Sequence, residues 1–341
     1  FTVIADCIPP REVGKYQGYI SAVYAVSSIA GPLLGGYFTE QLSWRWIFWI
    51  NLPLGALALW LVNRNLGHLN VRRHSRFDWK GAGLLITVTT LSLLLLSPEA
   101  TLSAIWLAAG LALALLLLIL VERRAQDPIL PAHLARLPGY LVSVLLALAS
   151  QLLMFAVLVY LPLQMQWQKG MGASESGLYM VIFMVCITAG AFVGGKLIGR
   201  TGHYKRFVVA GFALAALALW QIHFDLFANL GLGFAGLGLG LVLPALSVVV
   251  QNALPREDRG IGMSLFNFGR ELGGAVGVAI CAVLFHGALP AGTSHNLASL
   301  SPAELAPGFS ATYVGMAMIA SAAFLITLLA LKRHELASIP A

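Results

Sequence analysis

The sequence predicts an all-α, polytopic integral membrane protein, and two observations support that fold class. First, apolar residues make up 59% of the chain and charged residues only 10%, which is more apolar surface than a water-soluble core could bury. Second, the chain contains apolar runs of about 17 to 26 residues, each long enough to cross a hydrocarbon layer about 30 Å thick as an α-helix. The ten runs are Gly18–Phe38, Trp46–Val62, Gly81–Ser97, Ala104–Val121, Leu141–Leu163, Gly177–Ile198, Phe207–Phe224, Leu230–Val250, Ile261–His286 and Ala311–Leu331.

The Lys and Arg residues predict the orientation, because they lie mainly in alternate gaps between the runs. If residues 1–17 are cytoplasmic, 18 of the 21 Lys and Arg residues lie on the cytoplasmic side; Arg45 and Lys169 lie on the other side, and Arg270 lies within a run. This is the pattern of the positive-inside rule. We therefore predict a multi-pass protein of the cell (inner) membrane with both visible ends in the cytoplasm. Short loops beside anionic lipid explain the net charge of +7, so nucleic acid is not a predicted partner.

The runs divide the chain into three predicted units. Residues 1–62 contain the last two helices of an N-terminal bundle. Residues 63–130 contain a basic linker and then two Leu-rich runs with few polar side chains, which are expected to face lipid or to pack passively. Residues 131–341 form a six-helix C-terminal bundle that carries the polar and small residues.

A weak internal repeat indicates that these units belong to two related halves. Pro10-Arg11-Glu12 precedes the first run and Pro255-Arg256-Glu257 precedes the ninth, and both helices continue into glycine-rich stretches. A parallel repeat of this kind is typical of transporters. The chain starts with Phe1, and its first residues are similar to the tail of a helix rather than to a signal peptide. We therefore expect an N-terminal truncation.

The most informative motif is Gly31-Pro32-Leu33-Leu34-Gly35-Gly36, near the end of the first run. Proline bends a helix and removes a backbone donor, while glycine allows a neighbouring helix to approach to backbone contact. The motif therefore predicts a kinked, closely packed joint between two helices. An aromatic belt, WRWIFWINLPLG at 44–55, leads from it into the second run.

Together, the motif and the aromatic belt resemble the fourteen-helix drug:proton antiporters of the major facilitator superfamily. The resemblance implies the major facilitator fold, with the Leu-rich pair as the two extra helices of this branch. It also implies export of hydrophobic or cationic drug-like compounds by alternating access, driven by the proton gradient and without a cofactor. The implied partners are the lipid bilayer and a small hydrophobic substrate, and a periplasmic adaptor protein is left open.

Two groups of residues follow from the resemblance. The antiporter-type hinge motif comprises Gly31, Pro32, Gly35 and Gly36. A cytoplasmic hinge loop comprises Arg200, Gly202 and Lys205, and Gly199 stands there in place of the Asp that is usual in the family pattern.

A third group is the candidate path for substrate or protons. Glu271 lies near the middle of its run, and ionisable groups at that depth are functional candidates by default. Adjacent helical residues point about 100° apart, so Arg270 and Glu271 need not pair with each other. The candidate path residues are Glu271, Arg270, Asn267, Gln151 and Tyr160.

Two alternative functions are left open, namely a facilitator-type importer of the same fold and a truncated membrane subunit without transport activity. An enzyme is not predicted, because the sequence contains no nucleophile–base constellation. A metal site is not predicted either, because Cys7, Cys186 and Cys281 are scattered and the eight His residues lack ligand spacing.

Overall fold

The computed structural model describes residues 13–66, 78–97, 103–124, 129–131, 133–137, 139–224, 228–255, 258–290 and 300–331. Within these ranges the regular structure is helical and contains no strand. The α-helices are α1 (Val13–Gln41), α2 (Trp46–Trp49), α3 (Asn51–Leu66), α4 (Trp79–Leu95), α5 (Ala104–Glu122), α6 (Tyr140–Trp167), α7 (Ala173–Thr201), α8 (Tyr204–His223), α9 (Ala228–Ala253), α10 (Arg259–Gly287) and α11 (Pro302–Ala330). Each predicted run coincides with a helix, the second run with α2 and α3 together, which confirms the all-α prediction. The first residues of the chain and most of the basic linker, on which predictions were also made, lie outside the described residues.

Eight of the described helical segments are long and apolar enough to cross a membrane, which confirms the polytopic fold. They are Trp46–Arg64, Ala104–Glu122, Tyr140–Trp167, Ala173–Thr201, Tyr204–His223, Leu230–Ala253, Arg259–Gly287 and Pro302–Ala330. Helix α4 is also apolar but has only 17 residues. Helix α1 has 29 residues and contains Ser and Tyr residues as well as the glycines of its motif.

Helices α6 to α11 form one body around a continuous apolar core. Helix α6 is central to it and contacts α7, α9, α10 and α11. The largest buried side chains come from several helices, because each helix turns its apolar and small residues inward. They include Phe183, Phe212, Phe266, Phe309 and Tyr313.

Helix α9 is a glycine-rich wedge between α7 and α8. A Cβ added to Gly236 would lie 2.6 Å from the carbonyl oxygen of Phe183 on α7. A Cβ added to Gly238 would instead lie 2.5 Å from the carbonyl oxygen of Gly211 on α8. Gly236 and Gly238 are two residues apart, so they point about 200° apart around α9. The single glycine run therefore packs against two neighbouring helices at backbone distance.

A second glycine ladder joins α10 to α6. Three glycines of α10 recur at every fourth position and face three apolar residues of α6 with the same spacing. The facing pairs are Gly269 with Val144, Gly273 with Leu148, and Gly277 with Leu152. The two helices are also linked near their first turns, where the Tyr140 hydroxyl donates to the carbonyl oxygen of Gly262 at 2.9 Å.

The other helices lie outside this six-helix body. Helix α1 meets it mainly through α7, while α4 and α5 pack on each other and touch it mainly through a small contact of α4 with α10. All side chains of residues 51–64 are exposed. The three-unit domain division stays a prediction.

The six-helix body has a basic end and an opposite end. The basic end carries Arg200, Lys205 and Arg259, at the end of α7 and at the starts of α8 and α10. The opposite end is where α1 finishes and α7 begins.

Candidate functional site

The predicted hinge motif lies where α1 meets α7, at the opposite end. A Cβ added to Gly36 would lie 3.1 Å from the carbonyl oxygen of Ala173. About one turn earlier, the carbonyl oxygen of Pro32 lies 3.1 Å from the Cβ position of Gly177. The Cβ positions of the other two glycines of the motif, Gly31 and Gly35, have no neighbouring atom within 4 Å. The structure therefore brings Pro32 and Gly36, but not Gly31 and Gly35, to the joint.

An acidic residue that sequence reasoning missed completes this joint. The Glu40 carboxylate, in the last turn of α1, accepts a hydrogen bond from the Ser174 hydroxyl at the start of α7. Its other oxygen lies 3.2 Å from the Cβ position of Gly172, the residue that precedes α7. Glu40 follows Gly36 by one turn and so lies on the same side of α1, but this spacing does not identify its partner on α7.

Three of the five candidate path residues lie on α10, halfway along it. Glu271 is about 18 Å from the start of a helix about 43 Å long. Its side chain is 59% exposed, and Ser264, Asn267 and Ala275 on the same side of α10 are exposed as well. These four residues form the exposed face of α10, which points away from the glycine ladder on α6.

Arg270 and Glu271 pair directly, although the sequence did not require it. Arg270 Nη2 donates to Glu271 Oε1 at 2.9 Å. The flexible aliphatic part of the Arg270 side chain carries the guanidinium around the helix to the carboxylate. Arg270 Nε is buried and has no hydrogen-bond partner among the described residues. The pair therefore places one negative and one positive charge together at mid-depth.

The remaining two path candidates lie inside the body. Gln151 and Tyr160 of α6 are both about 5% exposed. They are nine residues apart, or about 180° around the helix, so they face different neighbours of the central α6. Tyr160 packs near Phe285, with ring centroids 6.0 Å apart, and Gln151 Oε1 has no hydrogen-bond partner in the described part of the chain. The structure does not bring them together with Asn267 and Glu271.

A hydrogen-bonded chain links α6 to α11 near the opposite end. The Tyr313 hydroxyl donates to Gln164 Oε1 at 2.8 Å, and Gln164 Nε2 donates to Gln168 Oε1 at 3.0 Å. Tyr313 itself is 2% exposed. These hydrogen bonds hold α6 and α11 together at this edge of the body, because the buried Tyr313 hydroxyl and the Gln164 amide satisfy each other.

The predicted hinge loop lies at the basic end. Gly202 ends α7 with φ of +67°, a left-handed conformation that favours glycine, and its N–H donates to the carbonyl oxygen of Ile198 at 2.8 Å. Lys205 Nζ donates to the carbonyl oxygen of Leu328 at 2.8 Å, near the end of α11. A cation is favourable at a helix C-terminus. Arg200 is exposed beside them.

The ionisable residues form no metal centre in the described ranges, where no group of three or more His, Cys, Asp or Glu side chains could hold an ion. His133 Nε2 and Asp258 Oδ2 lie 3.1 Å apart, within hydrogen-bond distance, at the basic end.

Comparison with known proteins identifies relatives over most of the chain. A family profile described as Major Facilitator Superfamily matches residues 1–278. An uncharacterized MFS-type transporter of Mycobacterium tuberculosis is 34% identical over 298 residues, which are 84% of this chain and 43% of that protein. The multidrug transporter protein MdtP of Bacillus subtilis is 31% identical over 295 residues, 83% of this chain and 54% of that protein. Multidrug resistance protein 3 of the same organism is 28% identical, over 82% of this chain and 57% of that protein.

The chain spans about half the length of these curated relatives. Among solved structures, a bacterial homologue of the human lysosomal transporter Spinster, in an inward-facing and occupied conformation, has a similar fold. The match has a TM-score of 0.57 at 15% identity and covers 97% of this chain and 72% of that chain.

Proposed function

The chain belongs to the major facilitator superfamily, and from that premise we propose that it acts in proton-coupled export of hydrophobic or cationic compounds. The observation that carries the proposal is the joint between α1 and α7, which is built from the Gly-Pro motif typical of exporters. The names of the two Bacillus subtilis relatives refer to multidrug transport and multidrug resistance, which supports the same substrate class.

The proposed mechanism is alternating access. The six-helix body moves as a unit, because its helices approach at backbone distance through the glycines of α9 and α10. Helix α1 meets that body mainly through α7, so among the described residues this is the main contact that a rocking motion has to part. In the proposed orientation the basic end is cytoplasmic and the opposite end faces outward. The hinge loop of Arg200, Gly202 and Lys205 then lies on the cytoplasmic side.

The exposed face of α10 is the proposed path. Polar and charged side chains at mid-depth are expensive in lipid and belong in a protein interior or a water-filled cavity. Glu271 is the proposed carrier, which binds a proton or a cationic compound in alternation, and Asn267 lines the path one turn away. The Arg270 guanidinium, which pairs with the Glu271 carboxylate, competes with the proton and with the cationic compound for that carboxylate. For Gln151 and Tyr160 we propose roles within the body instead, because both are buried.

Transport itself is tested in inverted membrane vesicles that contain the protein at its native length. An imposed proton gradient is expected to drive accumulation of the fluorescent cation ethidium, and an uncoupler is expected to abolish it. Accumulation without a proton gradient, or uptake only in right-side-out vesicles, would indicate a facilitator-type importer. If no hydrophobic cation accumulates above the level in vesicles without the protein, the result would favour the alternative of a membrane subunit without transport activity.

The carrier role of Glu271 needs a separate variant. Glu271→Gln keeps the size of the side chain and removes its charge, so proton-driven accumulation is expected to fall to background while the protein still folds. Glu175→Gln is the matched control, because Glu175 is an exposed acid outside the proposed path. Equal accumulation by the two variants would remove Glu271 from the mechanism.

A further inference from the structure

The start of α7 lacks a capping side chain of its own. Its N-cap is Gly172, which has no side chain, and no side-chain hydrogen bond caps the helix from that position. The first N–H groups of a helix have no partner within it, and they carry the positive end of its dipole. At the same end of the body, α11 has its own capping box, in which Ser301 and Glu304 satisfy each other's backbone.

Glu40 of α1 occupies the position that a capping acid would take. One carboxylate oxygen accepts the hydrogen bond of the Ser174 hydroxyl in the first turn of α7. The other lies 3.2 Å from the Cβ position of Gly172, a position that is empty because this residue is glycine. A carboxylate is favourable at a helix N-terminus because it faces the unpaired N–H groups and the positive dipole end. The carboxylate of a residue of α1 is therefore bound to the first turn of α7, beside the N–H groups that lack a partner within the helix.

The same two helices touch at backbone distance just below this contact. Gly36 and Gly177 leave room for the close approach of α1 and α7, with both Cβ positions 3.1 Å from a carbonyl oxygen of the partner helix. Glu40 lies one turn beyond Gly36, at the very end of the joint. Packing supplies the fit of the two helices, and the carboxylate adds a polar contact that forms only when they are together.

We propose that Glu40 is the latch of the opposite end: it caps α7 from α1 and holds this end closed. The inference rests on the alternating access proposed above, since only a joint that parts in each cycle needs a latch. Opening of this end removes Glu40 from Ser174 and leaves the start of α7 uncapped. Closing restores the cap.

The latch is tested by double electron–electron resonance on protein purified at its native length. Spin labels are attached through Leu42→Cys, after α1, and Lys169→Cys, before α7, since both residues are exposed and neither belongs to the latch. The native cysteines, Cys7, Cys186 and Cys281 among them, are first replaced by alanine. Two variants probe the contact, Glu40→Ala and the milder Ser174→Ala, which keeps the carboxylate.

Loss of the carboxylate is expected to raise the ratio of long to short label distances about tenfold. That corresponds to about 1.4 kcal/mol, close to the lower end of the range for one hydrogen bond to a charged group. Ser174→Ala is expected to raise the ratio severalfold. Glu175→Gln and Glu304→Gln are the controls, because each removes an acid from the first turn of a helix at the same end without breaking the contact of Glu40, and neither is expected to change the distances.

The latch is refuted if Glu40→Ala and Ser174→Ala give the same distances as Glu175→Gln. An unstable Glu40→Ala protein leaves Ser174→Ala to decide the question. Ethidium flux is measured on the unlabelled protein, so the two proposals fail separately. A shift in label distances without ethidium flux would support the latch and contradict the export function. Ethidium flux with unchanged label distances would support export and contradict the latch.

Discussion

Alanine in place of Gly277 tests the close packing of α10 against α6. A Cβ at this position would lie 2.6 Å from Leu152 Cγ and 2.7 Å from both Cα and the carbonyl oxygen of Leu152. Two of these atoms belong to the backbone, so the clash can be relieved only by moving α6 and α10 apart. Real Cβ contacts are 3.4 Å or longer in ordinary packing.

The expected magnitude follows from two opposing effects. Alanine favours a helix over glycine by about 1 kcal/mol, whereas overpacking of a close contact costs about 1 to 3 kcal/mol. Gly277→Ala is therefore expected to lower the free energy of unfolding. Gly260→Ala on the same helix is the matched control, because no neighbouring atom lies within 4 Å of its Cβ position, and only the helix preference operates there. The two variants should differ by about 1 to 3 kcal/mol.

The assay is unfolding in mixed micelles with increasing sodium dodecyl sulfate, followed by tryptophan fluorescence. The midpoint for Gly277→Ala is expected below that of the unmodified protein and that for Gly260→Ala at or above it. Equal midpoints for the two alanine variants would contradict the packing of α10 on α6. An upward shift of the same size in both would mean that helix preference alone decides their stability.

Two further variants probe other contacts of the body in the same unfolding assay. Tyr313→Phe removes the hydroxyl that donates to Gln164 Oε1, and the unpaired amide oxygen should cost about 1 to 3 kcal/mol; an unchanged midpoint would mean that the amide has another donor. Gly202→Ala places a side chain at φ of +67°, which should cost about 1 to 2 kcal/mol, whereas Gly202→Asn should cost less because Asn tolerates this conformation. Equal losses for Ala and Asn would contradict the assignment of the cost to the backbone.

Helix positions could be predicted from the sequence because the bilayer imposes a minimum length on every apolar run. The predicted runs differ from the observed helices mainly at the helix ends. Helix α11 begins at Pro302 rather than Ala311, since Ser301 and Glu304 form a capping box that a hydropathy pattern does not detect. Helix α7 similarly extends to Ala173, into a polar turn that packs against α1.

The candidate site was harder to predict, because it depends on which helix faces which. The Gly-Pro motif indicated a close joint, but only contacts across it show that Gly36 takes part and Gly31 does not. Gln151 and Tyr160 have polar atoms at suitable depths, yet α6 is surrounded by four helices and buries both. The sequence places Glu271 at mid-depth, but only the packing of the glycine ladder shows that it lies on the exposed side of α10.

Glu40 illustrates the limit of pattern reasoning most clearly. An acid at the end of a helix is common at a membrane surface and carries no signal alone. Its contact with Ser174 arises from two helices that are more than 130 residues apart in the chain, and nothing local to either segment predicts it.

The central claim, coupling of export to protons, is tested most directly in proteoliposomes that contain the purified protein at its native length and a pH-sensitive dye inside. An outward gradient of ethidium is imposed without any initial pH difference. The account predicts that ethidium efflux drives protons into the vesicles, and that Glu271→Gln abolishes this movement. Ethidium efflux with no proton movement would contradict the account, because it would show a facilitator instead of a proton-coupled exporter.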